Sequence, residues 1–391
     1  MPLRLEPMQP ARDKDAITRT LSLAFASPAE GVREWMSNAG DDNFRVLTDG
    51  TTPLATLLRI PMGQFFVGRR IPMLGIAGVA VAPEHRGAGH AKTMMRHAMV
   101  QAAAEGWPLA GLFASTHTLY RAVGFEHAGY RFQYSIPIVR IDVRDALGNI
   151  VPISDADMPR VHACYAAFAA KHNGSLDRGQ YIWNRIRTHR DDVFHGFAVH
   201  SDARELEGYL FLAQKRRPDG RQDLTLSDIA FTTPVAGRRL WSLLADFSPM
   251  GEELTFFGGP THPALELLQQ QRHRVELRDT WLLRVLDVRR ALEARAYPSA
   301  LQAELHLDIH DDLIPANHGR FMLRVDQGTG SARQGGHGTL RLSARGLAAL
   351  YSGFLSPHQA KQLGELDAPD DACDHAAGFF AASTPWMSDM F

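Results

Sequence analysis

The stretch "VAVAPEHRGAGHAKTMM", Val79 to Met95, constrains the chain more than any other. It opens as an apolar, β-branched run, the mark of a strand. Pro83 ends that run, and Arg86-Gly87-Ala88-Gly89 form a glycine-bearing turn. Beyond it, apolar residues fall at Ala91, Met94, Met95, Ala98, Met99 and Ala102. That is the i, i+3, i+4, i+7, i+8 spacing of an amphipathic helix. "PLAGLFAS", Pro108 to Ser115, follows as a buried strand. Strand, helix and strand in this order predict a crossover unit at the centre of a mixed α/β domain.

The turn between strand and helix carries chemistry. A helix N-terminus points unpaired N–H groups outward and holds partial positive charge, so it binds anions. Gly87 and Gly89 let the backbone approach a phosphate with no Cβ in the way, and Arg86 adds a fork of donors. Arg86 with the backbone of Gly87, Ala88, Gly89, His90, Ala91 and Lys92 is therefore the candidate pyrophosphate site. The strand residues Val79, Ala80 and Val81 are expected to part from their neighbour here. Their free backbone groups then suit an extended, amide-bearing ligand arm, with Ser115 and Thr116 beside it. Pyrophosphate at the turn and amides along the strand describe coenzyme A. His85, His90 and His97 read as solvated or phosphate-side residues rather than bases.

The flanking sequence supports a domain over residues 1–140. "LRLEP" is a short alternating run, and Ile17, Leu21 and Phe25 mark a helix. "FRVLTD" and "PLATLLRI" read as strands. "GQFFVGRRIPMLGIAGVAVAP" reads as two more with a turn at Arg69-Arg70, and "TLYRAVGFE" as a short helix ending at Gly124. Residues 141–286 repeat the order in weakened form. "SDIAFTTPVAGRRLWSLL" lines up with "AGVAVAPEHRGAGHAKTMM" as strand, proline, Gly-Arg and helix, which predicts a second, degenerate copy of the fold. Its turn has Pro234-Val235-Ala236-Gly237 in place of paired glycines, so no second cofactor is expected there. Residues 287–391 change character. Two strands around a turn at Asn317-His318-Gly319, then a strand, a helix and a further helical segment, predict a small α+β domain.

Composition narrows the rest. A length of 391 residues accommodates two or three domains, and 45% hydrophobic with 22% charged residues is ordinary for a globular chain with sizeable cores. A formal net charge of −1 provides no general pull toward nucleic acid or anionic membrane. Cys164 and Cys373 offer neither metal-ligand spacing nor a disulfide framework, so no metal is expected. No apolar run is long enough for a membrane span, and the first residues lack a signal-peptide core. A cytoplasmic protein is the expectation.

Arg86-x-x-Gly89-x-Ala91, with the strand before and the helix after, resembles the signature of the GCN5-related N-acetyltransferases. The three-part layout resembles the enhanced-intracellular-survival (Eis) acetyltransferases, in which two acetyltransferase-like domains precede one like the sterol carrier proteins. The resemblance implies transfer of an acetyl group from acetyl-coenzyme A to a primary amine, on a polyamine, an aminoglycoside-like molecule or a lysine side chain. It also implies a homo-oligomer, a hexamer in that family. The alternative is a lipid carrier with a vestigial acetyltransferase domain.

Tyrosine suits protonation of a leaving thiolate, because with a pKa of about 10 it holds its proton at pH 7. Tyr120 keeps the family's strand–helix–Gly-Phe context, and the resemblance makes it the general acid. No His-Asp or Glu pair in the first third has convincing spacing for a base. The resemblance assigns that task to the C-terminal carboxylate, here on Phe391. Trp386, Met387, Met390 and Phe391 form an apolar tail that favours burial. Trp35, after the first helix, is the candidate substrate contact, and Glu34, Asp41 and Asp389 are candidates to attract a cation. Thr116-His117-Thr118 departs from the acidic residue and glycines that related enzymes carry there.

Overall fold

The computed structural model describes residues 2–190 and 192–391. Two compact units share the chain. The first takes it as far as Gly129, resumes over Thr280–Ser383 and includes Phe391; the second comprises Tyr130–Asp279 and Thr384–Met390.

In the first unit, strands Arg4–Pro7, Phe44–Thr48, Pro53–Phe66, Arg69–Val81 and Leu109–Phe113 lie side by side, followed by Trp281–Val285. All neighbours run antiparallel except one pair. Met73–Ile76 lies parallel to Leu109–Leu112, and helix His90–Ala104 makes the crossover between them. The helix buries Met94, Met95, Ala98, Met99 and Ala102, the face its periodicity marks, against Leu57, Leu74, Ile76, Leu112 and Leu282. This is the mixed α/β fold that the opening stretch implies.

Two local expectations need correction. "PLATLLRI" and "GQFF" are one strand, Pro53–Phe66, and the turn lies at Val67-Gly68 rather than Arg69-Arg70. Pro61 lies past Leu58, where pairing with Phe44–Thr48 ends, so that ladder does not need its missing N–H. Val67 and Gly68 have φ of 50° and 82°, the consecutive positive values of a tight hairpin.

The same unit contains the last third of the chain. Its five-stranded sheet runs Thr329–Gln334, Gly319–Asp326, Ala303–His310, Leu340–Ser343 and Leu366–Asp367. The expected turn at Asn317-His318-Gly319 is the end of a longer loop, and Asp311 and Asn317 organise it from inside. Asp311 accepts from the backbone of Leu313 and Ile314 and takes both oxygens to Arg284 at 2.8 Å. Helix Asp370–Phe380 has no counterpart in the sequence reading.

The second unit repeats the plan. Gly251–Gly258, Gln222–Phe231, Leu206–Arg216, His195–His200 and Asn149–Pro152 form its sheet, with Phe132–Pro137 beside the first of these. Gln222–Phe231 and Gly251–Gly258 are parallel, and helix Pro234–Ala245 joins them. Leu240, Trp241 and Leu244 of that helix fill the core with Leu224, Leu226, Leu254 and Phe256. Helices Met158–Ala169 and Gln180–Arg187 precede these elements.

Arg284 and Asp311 are almost wholly buried, and breaking such a pair leaves an uncompensated charge in a dry interior. Asp311→Asn is therefore expected to cost about 3–5 kcal/mol of unfolding free energy at pH 7. Burial pushes the Asp311 carboxyl up, but Arg284 and the two backbone N–H groups outweigh it and hold the group below the usual carboxylate range. A depressed folded value stabilises above the ordinary value of about 3.9 and loses that stabilisation as pH falls through the folded one. Urea unfolding of both proteins across pH 2–7 checks this: the gap between them should close at the acidic end. A gap that stays constant would contradict it.

Candidate active site

The strand Arg69–Val81 carries a bulge. Thr56 pairs with Ala80 but Leu58 pairs with Ala77, so an extra residue falls between, and Gly78 there has φ of +56°. Bulges sharpen the local twist. On the other side, pairing with Leu109–Phe113 stops at Ile76 and Leu112. Residues 77–81 thus run on with that edge unladdered. Val79, Ala80 and Val81 lie on this parted segment, as the arm-binding reading requires.

The turn follows at once. Gly87 and Gly89 have φ of +83° and +78°, and a Cβ on either would meet nothing within 4 Å. Gly89 is the N-cap of helix His90–Ala104 and brings no side chain to cap it. The open helix end, the exposed Arg86 and the exposed Lys92 face the same solvent-accessible turn. Arg86 donates through Nε to the Val81 carbonyl at 3.3 Å, which tethers the guanidinium to the parted strand. His85 and His90 lie beside it, rings 6.4 Å apart, and neither sits in a base-like constellation.

Tyr120 lies on the short helix His117–Arg121, 5% exposed, in the core cluster with Met94, Met95 and Phe125. Burial pushes its phenol up to about 12, and a hydrogen bond with the Ser115 side chain pulls the other way. The proton is therefore firmly held across the neutral range. Ser115 and Thr116 are exposed just past the end of Leu109–Phe113.

Phe391 sits at the fork. Its ring is 5.5 Å from that of Phe113 in a T-shaped contact, and a Cβ on Gly75 would stand 3.1 Å from it. Gly75 and Phe113 flank the last pairs before the strands part. Trp35 covers the next stretch. A Cβ on Gly78 would stand 2.7 Å from its indole, which also packs edge-on against Phe44 at 5.7 Å. Trp35 is on helix Ala29–Ala39, not on a loop after the first helix. That second helix explains its fixed orientation.

The candidate cation-attracting acids fare differently. Glu34 is exposed on the same helix, while Asp41 accepts from Lys14 Nζ at 2.7 Å. Asp389 is no surface charge. It is 8% exposed, in the second unit, and both its oxygens take the Arg178 Nε at 3.0 and 3.1 Å. Trp386 and Met387 are buried there, whereas Met390 is 45% exposed. Sequence reasoning did not single out Arg178, because it lies 211 positions from Asp389 and in no motif.

The second turn is closed by its own side chains. Thr233 caps helix Pro234–Ala245, accepting from the Ala236 N–H at 3.3 Å, and donates to the Glu207 carboxylate at 2.8 Å. A carboxylate thus sits where the first copy leaves room for an anion. Gly237 faces Phe231 and Leu267, which a Cβ would overlap. One coenzyme A per chain is the expected stoichiometry, measured by calorimetry; two would show the second turn to be competent. Among the described residues, no three His, Cys, Asp or Glu are grouped to hold a metal ion, and no helix is long and apolar enough to cross a membrane.

Known proteins agree with this architecture. An acetyltransferase (GNAT) domain family matches residues 7–128, a second acetyltransferase (GNAT) domain family residues 174–285, and a sterol carrier protein domain family residues 288–388. An uncharacterized N-acetyltransferase of Streptomyces griseus is 30% identical over 354 residues, 83% of each chain. The N-acetyltransferase Eis of Mycobacterium tuberculosis is 27% identical over 334 residues, 78% of this chain and 77% of its own. The crystal structure of a GCN5-related N-acetyltransferase from Anabaena variabilis superposes with a TM-score of 0.95 at 30% identity over the whole of both chains. The chain is thus an N-acetyltransferase with acetyl-coenzyme A as its cosubstrate, and it belongs to the Eis family of the GCN5-related N-acetyltransferases.

Proposed function

We propose that the domain over residues 1–140 acetylates a primary amine, with Tyr120 as general acid and the Phe391 carboxylate as proton acceptor. The degenerate copy spans 141–286 and the carrier-like domain 287–391 in this reading. The observation that carries it is the Phe391 ring seated against Gly75 and Phe113, where the two central strands part. Packing of the Phe391 ring at a fork that suits a thioester supports this reading.

The neutral amine attacks the thioester carbonyl carbon, a C–N bond forms, and the C–S bond breaks. The ammonium proton goes to the Phe391 carboxylate and on to solvent. With a usual pKa of about 3.3–3.7, that group is a modest base and acts by stabilising and relaying the proton. The departing thiolate takes the Tyr120 proton, and a proton from solvent restores the phenol. Arg86 and the backbone N–H groups of Gly87–Lys92 hold the pyrophosphate, Val79–Val81 with Ser115 and Thr116 the pantetheine arm, and Trp35 walls the acceptor side. The acceptor is a small polyamine or aminoglycoside-like amine or a lysine side chain. The sparse cysteines point to the cytoplasm, and the family resemblance adds a homo-hexamer.

One observation favours the lipid-carrier alternative. A cavity of about 530 Å³ lies among Val100, Ala103, Leu286, Leu313, Ile314 and Phe321, with Arg289 and Arg333 also lining it. Amine-dependent thiol release from acetyl-coenzyme A separates the readings. Fatty-acid binding with no thiol release would favour the carrier.

Gly89→Asp adds a charge and a strained side chain at the pyrophosphate turn. It should weaken acetyl-coenzyme A binding about 100-fold, near 2.8 kcal/mol; unchanged affinity on a folded variant would overturn the turn's assignment. Tyr120→Phe removes only a hydroxyl. It should lower kcat by about 10²- to 10⁴-fold with cofactor affinity nearly intact. Residues added after Phe391, or its deletion, should also lower kcat, since one residue moves the carboxylate about 3.3–3.6 Å. Wild-type rates in both tail variants would remove the terminus from the mechanism.

A further inference from the structure

The sequence places a degenerate second copy in the chain but leaves it without a task. Its geometry supplies one. Aligned from the start of the strand segment, Asp228 of "SDIAFTTP" falls where Gly78 stands in "AGVAVAP", and the second copy has one more residue before its proline. Both lie at the same kind of bulge: Phe211 pairs with Asp228 while Leu212 pairs with Leu226. Both also lie past the end of parallel pairing, which stops in the second copy at Thr225 and Thr255. The first copy has no side chain there. The second has a buried carboxylate.

Asp228 grips Arg178 with both oxygens, at 2.5 and 2.9 Å, and accepts from the Tyr209 hydroxyl at 2.5 Å. The opposite side of the Arg178 guanidinium holds Asp389, and its plane covers the Tyr165 ring at 3.6 Å. The rest of the tail is tied down in the same unit. Arg131 donates to the Ser388 carbonyl at 2.9 Å, and the Trp386 N–H donates to the Asn173 carbonyl at 2.9 Å. The Trp386 ring lies 5.2 Å from both His172 and His262 and against Gly259.

We infer that the second acetyltransferase-like domain is a receptor for the chain's own C-terminal tail, and that Arg178, between Asp228 and Asp389, is the positioning residue that sets the tail's register. The inference rests on the proposed role of the Phe391 carboxylate. Apolar residues alone would bury a tail as well, and buried ion pairs are a weak source of stability. What the triad supplies is a single allowed position. A slip of one residue would take the Asp389 carboxylate off Arg178 and leave that carboxylate unpaired in a dry interior, the costly state. Phe391 is two residues past Asp389, so the span from one to the other is at most about 7 Å. Holding Asp389 therefore confines the terminal carboxylate.

A double-substitution cycle in the full chain tests this. Asp389→Asn keeps the shape and removes the charge. The second change converts the Phe391 carboxylate to a carboxamide by ligation of a synthetic tail. Kinetics with acetyl-coenzyme A and an amine acceptor, acetyl-coenzyme A affinity and Tm are measured for all four proteins. Asp389→Asn is expected to lower kcat at least tenfold with cofactor affinity unchanged, and to cost nothing further in the carboxamide protein. The same loss in both backgrounds would overturn the inference, because the network would then only support the fold. An unchanged kcat in Asp389→Asn, with kcat lowered by the carboxamide, would overturn it while sparing the catalytic role of Phe391. An unchanged kcat in the carboxamide protein would overturn that role, and the inference with it. Should Asp389→Asn fail to fold, Tyr209→Phe, which removes only the hydrogen bond to Asp228, carries the same cycle with a smaller expected factor.

Discussion

After the Ile76–Leu112 pair, the two central strands of the first domain stop exchanging hydrogen bonds, and the site is built from the backbone groups left over. Peptide groups inside a sheet must be paired, so a parted strand is sustained only where another partner or solvent takes the edge. The bulge at Gly78 turns the strand aside, and Arg86 ties the turn back to Val81. The helix end then supplies N–H groups at the place where the strand edge stops. One continuous surface results, with free backbone groups along the strand and an uncapped helix end at the turn. That is the division of polar groups along coenzyme A.

The two copies show how little separates a turn left open to an anion from one closed by its own side chains. The bulge and the end of parallel pairing occur in both. The first copy has glycine at Gly78, Gly87 and Gly89; the second has Asp228, a Thr233 cap and the Glu207 carboxylate. Side chains that satisfy the helix end from within remove its affinity for an outside anion. Tyr120 illustrates the same economy of placement. Burial, not a neighbouring charge, raises its pKa, so the proton stays on the phenol across the neutral range.

Much of this was legible in the sequence where the signal is local. The crossover, the paired glycines and the amphipathic face of His90–Ala104 depend on neighbours within about four positions, and the helix buries the residues its spacing marks. The duplicated plan was legible because strand, proline and helix recur in order. The failures are long-range. Asp389 reads as a surface carboxylate because nothing near it in sequence announces Arg178. Trp35 reads as a loop residue because helix Ala29–Ala39 is short, with Val32, Met36 and Ala39 as its buried residues. Pro53–Phe66 reads as two strands because the end of pairing at Leu58 is a tertiary fact. The tail's anchorage at Arg131, Arg178 and Asn173 is likewise set by partners more than 200 positions away.

The central claim is that the parted strand, Tyr120 and the terminal carboxylate of Phe391 serve one thioester. A crystal structure with acetyl-coenzyme A bound tests it most directly. The account predicts a pyrophosphate on the Gly87–Lys92 N–H groups and a pantetheine arm along Val79–Val81. It also predicts the thioester sulfur within about 3.5 Å of the Tyr120 hydroxyl, with the Phe391 carboxylate on the acceptor side of the carbonyl. A thioester remote from both groups, or a cofactor seated on the Pro234–Ala245 helix instead, would contradict it.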